Sequence, residues 1–198
     1  MRWRQGAQAL LRETAGAALV EFAMVLPVML LAGMGLCELA YESYMQAVLA
    51  GSVDQAGRNG TIQGASSATI DASVLSAVQT INGKTAFASG YPTRKSYADF
   101  GYVAPEPFVD ANLNGVHDAG ECYTDVNGNN VWDADPGTTG MGGASDTVVY
   151  TVVITFPRPF PMPSLLGWSA TARMSATTIL KNQPYAGQNS PTLNTVCN

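Results

Sequence analysis

The chain has 198 residues, a formal net charge of −5 and only 13% charged residues. That length suits one ordinary domain plus an added element. No run of Lys or Arg occurs anywhere, and nucleic-acid binding needs a basic stripe, so no nucleic-acid partner is expected.

The chain opens with a short basic segment, MRWRQGAQALLRETAG (residues 1–16), followed by the apolar run GAALVEFAMVLPVMLLAGMGLC (16–37). The run is about long enough to cross a bilayer. Basic residues flanking a span favour the cytoplasmic side, which predicts the N-terminus inside and everything beyond about residue 37 outside. One carboxylate, Glu21, interrupts the run. A charge at the centre of a span costs about 2.5–3.5 kcal/mol, so its presence calls for a reason.

Three processing routes meet different residues here. A lipoprotein site needs a small residue before its cysteine, whereas Cys37 follows Leu36. Gly33 and Gly35 supply the small residues that a secretory signal peptidase wants, but the apolar core is long for it. The third route rests on Gly16, with the apolar helix starting at Ala17 and Glu21-Phe22 at the fifth and sixth positions after the glycine. This pattern resembles the processing site of type IV pilin-like precursors, in particular the Tad class, in which a membrane-embedded prepilin peptidase cuts after the glycine. Cleavage would leave an α-ammonium at Ala17 in apolar surroundings, where it needs a counter-ion. The Glu21 carboxylate of a neighbouring subunit can supply it. The alternative is a plain membrane anchor with a chance polar residue. Pro27 lies inside the helix and removes one backbone bond.

Helical spacing continues through Cys37, Tyr41, Met45, Val48 and Val53, with Glu38, Glu42 and Gln46 on another face. Asn59-Gly60 supplies a stop near Arg58, giving a rod of about 60 Å from Ala17. A second helix is predicted in SSATIDASVLSAVQTING, capped by Ser67 or Thr69, with Ile70, Val74, Leu75 and Val78 as its apolar face and Asn82-Gly83 as its end. DTVVYTVVITF (146–156) and WSATARMSATTILKN (168–182) read as antiparallel strands, joined by a Pro-rich connection. GTTGMGGAS (137–145) lacks the Lys and helix start of a phosphate loop and reads as a flexible turn. The expected fold class is α+β: a long N-terminal helix, a second helix and an antiparallel β-sheet head of pilin-like architecture. The expected divisions are a leader over 1–16, a helix over 17–58 spanning the membrane at about 17–37, and a head over 59–198.

Within the head, DANLNGVHDAGE (110–121) fits a twelve-residue calcium loop. Asp110, Asn112 and Asn114 stand at positions 1, 3 and 5, Gly115 at the sharp turn, the Val116 carbonyl at 7, Asp118 at 9 and Glu121 at 12. Hard oxygen ligands at this spacing suit Ca²⁺; a polar surface turn uses the same residue types. A poorer copy, DVNGNNVWDADP (125–136), offers Asp125, Asn127, Asn129 and Asp133, but Asn130 replaces the glycine and Pro136 the carboxylate, leaving Asp135 as the substitute. A structural calcium is therefore the expected cofactor. The single histidine, His117, reads as a surface residue, and no Cys/His cluster suits zinc. In an oxidising compartment Cys122 and Cys197 are the natural disulfide pair, and Cys37 reads as a small apolar packing residue.

GAALVEFAMVLP, DVNGNNVWDADPG…GGASDTVVYTV and MSATTILKNQPY together resemble the TadE-like pseudopilins of bacterial Tad/Flp type IV pilus systems. The resemblance implies a minor subunit, matured by prepilin peptidase after Gly16, with Gly16, Ala17, Glu21 and Phe22 as the residues of processing and assembly, and acting in pilus assembly or initiation in support of surface attachment. Its implied partners are that peptidase, other pilin or pseudopilin subunits, the inner-membrane assembly platform and the lipid bilayer. The implied location is the inner membrane with the head in the periplasm, or outside the cell within a pilus. No Ser/His/Asp set with suggestive context occurs, and no enzyme is expected. The competing reading is an uncleaved, membrane-anchored, calcium-binding envelope protein.

Overall fold

The computed structural model describes residues 14–62, 64–160, 166–188 and 192–197, so most of the segment expected to be a leader, 1–16, lies outside the described residues. Two compact units emerge, one within Met1–Tyr44 and Arg158–Thr171, the other within Met45–Pro157 and Ala172–Asn198.

Helix α1, Thr14–Gly60, begins before Ala17 and runs through both Gly16 and Pro27. It is the one helix among the described residues long and apolar enough to cross a membrane. In the first unit its large apolar side chains face outward, Leu19 being 70% and Phe22 60% exposed. Glu38, placed by its spacing on a polar face, is instead buried, because Arg158 reaches it at 2.8 Å and also bonds Glu42. A guanidinium fork can serve two carboxylates at once, which local helical periodicity does not encode. Cys37 is a free, exposed thiol rather than a packed one.

In the second unit the same helix becomes amphipathic. Met45, Leu49, Val53 and Ala56 form its buried stripe, while Val48 is only half-buried. Helix α2, Ser67–Gln79, buries Ile70, Val74 and Val78 as the spacing predicts, with Leu75 half-buried. Its cap is Ser66, whose hydroxyl accepts the Thr69 N–H, in place of the expected Ser67 or Thr69.

The main sheet is built on β5 (Thr147–Pro157), which pairs with β1 (Ala86–Phe87), β2 (Thr93–Tyr97) and β6 (Thr171–Lys181). β4 (Thr138–Thr139) pairs with β2. β1 and β2 run antiparallel to β5, with Lys95 opposite Val149 and Phe87 opposite Ile154. β5 buries side chains of both parities, including Val152, Val153 and Ile154, as a near-continuous apolar run should. The glycine-rich stretch is no loose turn: it contains β4, and the Asn182 side-chain amide donates to the Met141 and Gly143 carbonyls at 2.8 Å each. A second sheet pairs β3 (Cys122–Asp125) with β7 (Asn194–Cys197), placing Cys122 opposite Cys197, and the two are joined as a disulfide. The chain is thus α+β, as expected.

Candidate functional site

Two places carry the expected functional residues. The first is the start of α1. Gly16 lies within the helix, and a Cβ built there meets nothing within 4 Å. Ala17 and Glu21 are one helical turn apart, hence on one face, and both are exposed. Glu21 pairs with no described residue, and the exposed apolar side chains of Leu19, Val20 and Phe22 surround its place in the chain. An apolar helix surface carrying one unpaired carboxylate suits burial against lipid or other helices, where that carboxylate would seek a cation.

The second is the pair of Asp/Asn loops. In the first, the Asp110 carboxylate accepts the N–H groups of Asn114 (3.1 Å) and Gly115 (2.7 Å). Asn112 Oδ1 accepts the Asn114 N–H, and Asn114 Oδ1 accepts the Val116 N–H. The side-chain amides of Asn112 and Asn114 both donate to Asp118 Oδ2 at 2.8 Å, and these bonds hold the Asp118 carboxyl below the usual carboxylate range. Glu121 closes the loop, accepting the N–H groups of Ala111 at 2.8 Å and Asp118 at 3.0 Å. Gly115 occupies the left-handed region at φ +77° that the sharp turn demands.

The second loop repeats this arrangement. Asp125 accepts from Gly128, Asn129 and Asn130. Burial alone would raise its carboxyl; the backbone N–H groups of Asn130, Gly128 and Asn129 outweigh that and lower it. The amides of Asn127 and Asn129 converge on Asp133 Oδ2. Asn130, in place of glycine, adopts the same left-handed turn at φ +60°, which Asn tolerates better than most residues.

The closing carboxylate is where the structure departs from the sequence-based expectation. Asp135 is committed elsewhere, bonding Lys95 and accepting the Tyr97 hydroxyl at 2.7 Å. Its place is taken by Glu106, which accepts the N–H groups of Val126 at 2.8 Å and Asp133 at 3.0 Å. Glu106 precedes the loop by many residues and is 1% exposed, so a twelve-residue template cannot find it. The signal available was its spacing: Glu106 stands four residues before Asp110 as Glu121 stands four before Asp125. His117 is not a loose surface residue either. Its ring stacks on Trp132 with centroids 4.8 Å apart and 9° between planes.

Among the described residues no three Cys, His, Asp or Glu side chains gather so as to hold a metal by themselves. Each loop instead mixes carboxylates with amide and main-chain oxygens, a donor set that suits Ca²⁺ rather than zinc.

Residues 16–58 match the family model described as TadE-like protein. The N-terminal helix is TadE-like. The match begins at Gly16 and ends two residues before the TadE-like helix does, which is consistent with a pilin-like protein. No curated protein and no solved structure matches the chain. The match supports a protein associated with the Tad pilus, and the apolar helix suggests membrane anchoring.

Proposed function

We propose that the chain is a minor pseudopilin of a Tad pilus, cleaved after Gly16 by prepilin peptidase and acting structurally, not as an enzyme, in pilus assembly or initiation that supports surface attachment. The observation that carries this reading is the TadE-like match over 16–58, with Gly16, Ala17, Glu21 and Phe22 in the expected order on one continuous helix. After cleavage the Ala17 ammonium and a Glu21 carboxylate on an adjacent subunit neutralise each other among packed apolar helices, so that correct register is favoured over any other. The head lies in the periplasm, or outside the cell once in the pilus, and its partners are other pilin-like subunits and the inner-membrane assembly platform.

The test is co-expression with the cognate prepilin peptidase, followed by intact mass and N-terminal sequencing. A chain beginning at Ala17 is expected; one retaining Met1 overturns the processing step and favours an uncleaved envelope anchor. Glu21→Ala is expected to insert normally and to be missing from sheared pili. Its normal incorporation would remove the counter-ion role.

A further inference from the structure

Residues 106–120, EPFVDANLNGVHDAG, and 121–135, ECYTDVNGNNVWDAD, are tandem copies of one 15-residue unit, identical at 7 positions. The contacts between them are reciprocal. Phe108 and Tyr123, equivalent in the two units, face each other in an antiparallel bridge. On either side the Val109 N–H donates to the Cys122 carbonyl and the Thr124 N–H to the Pro107 carbonyl, both at 2.8 Å. His117 and Trp132, again equivalent, stack on each other. The indole N–H of Trp132 donates to the Glu106 carbonyl at 3.0 Å, and His117 Nε2 meets the Glu121 carbonyl at 3.2 Å. The two units are thus related by a local two-fold, and each unit's glutamate crosses it.

Glu106 and Asp125 are each 1% exposed, and the ion pairs among the described residues involve neither them nor Asp133, Asp110, Asp118 or Glu121. Buried carboxylates bonded only by N–H groups, with no Lys or Arg beside them, can accept a cation. An independent observation sits beside the second loop. The Tyr123 hydroxyl, on a side chain 2% exposed and two residues from Asp125 in β3, has no hydrogen-bond partner among the described residues. A buried hydroxyl left unpartnered on the same buried face of β3 as Asp125 is suited to the outer shell of an ion bound there. Rotation of the converging Asn amides would present oxygen in place of N–H, at the loss of the bonds their Oδ1 atoms accept from the N–H groups of Asn114, Val116, Asn129 and Val131.

We propose that residues 106–135 form a two-site calcium module in which each repeat lends its glutamate to the other: Glu121 completes the site of Asp110 and Asp118, and Glu106 completes the site of Asp125 and Asp133. The ligand class is a divalent cation with a large, irregular oxygen shell. Ca²⁺ accepts 6–8 oxygens in flexible geometry, whereas Mg²⁺ demands an octahedron and keeps its waters. The module stands independently of whether the chain is processed into a pilus.

Equilibrium dialysis of the full chain in nonionic detergent against ⁴⁵Ca²⁺ tests it, at millimolar free calcium because sites in extracellular modules bind as weakly as about 10⁻⁴–10⁻³ M. Two ions per chain are expected for the unaltered protein, undisplaced by equimolar Mg²⁺. Glu106→Gln is expected to retain one. Combined with Asp125→Asn it still retains one, because both changes strike the same site; combined with Asp110→Asn it retains none. Fewer than two ions on the unaltered chain overturns the proposal without reference to any variant. Two ions on Glu106→Gln, or the double variants in reverse order, overturns the exchange of glutamates. Asp133→Asn provides a second, independent loss of the same site should Glu106→Gln fail to fold.

Discussion

The Cys122–Cys197 disulfide makes the most direct quantitative prediction. It closes a separation of 75 residues, and in the chain-entropy account a loop of that size raises the free energy of the unfolded state by about 4.5 kcal/mol at 25 °C. Other forces holding β7 are modest. Among the described residues it pairs only with β3, over four residue pairs, and three of its four residues are exposed. Replacing both cysteines by serine is therefore expected to lower stability by up to about 4.5 kcal/mol, a midpoint drop of roughly 9–18 °C for a chain of this size. The assay is thermal and urea unfolding of the full chain in detergent, followed by tryptophan fluorescence, with hydrogen exchange at the Val196 amide as a local readout. Val196 is expected to lose protection while Val152, in the middle of β5, keeps it. A loss below about 1 kcal/mol with Val196 still protected would refute the reasoning, because β7 would then be held by its own contacts.

Gly142→Ala is expected to destabilise the fold by at least about 2 kcal/mol, since φ is +67° there and a new Cβ would lie 2.7 Å from Ser96 Cβ; Gly64→Ala, also left-handed but in open space, should cost less, and equal urea midpoints would contradict the steric argument. Ile154→Ala, at a fully buried position of β5, should cost about 2–5 kcal/mol in the same assay. Burial, then the hydrogen bond to Asp71 and that carboxylate's charge, raise the Tyr150 phenol well above its usual value, against a smaller opposing effect of Arg94. A group whose folded pKa is raised contributes stability that is complete below its unfolded value, about 10, and lost as pH rises beyond it. Stability should thus fall above about pH 10, and Tyr150→Phe should flatten that fall; an unchanged alkaline slope would assign it to other groups.

Much of this protein is legible in short stretches of sequence. The apolar run, its single Glu21 and the glycine before it mark out the TadE-like helix because each signal lies within a few residues of the next. The alternating Asp and Asn positions specify their own turns, since each side chain bonds a backbone N–H only two to five residues away. β5 and β6 announce themselves through β-branched residues. The two-residue strands β1 and β4 do not, because nothing in so short a stretch outweighs its turn-forming neighbours, and their pairing is decided by β5 and β2. Glu38 escaped for a related reason: helical periodicity places a side chain on a face, but only Arg158, 120 residues on, decides that the face is buried. Tertiary structure alone likewise settled which carboxylate closes the second loop. Asp135 is nearer in sequence, yet strand β2 brings Lys95 and Tyr97 to it, while the bridge between Phe108 and Tyr123 swings Glu106 across to Val126 and Asp133. A charged group binds whatever partner the fold brings within about 3 Å of it, and distance along the chain sets no such limit.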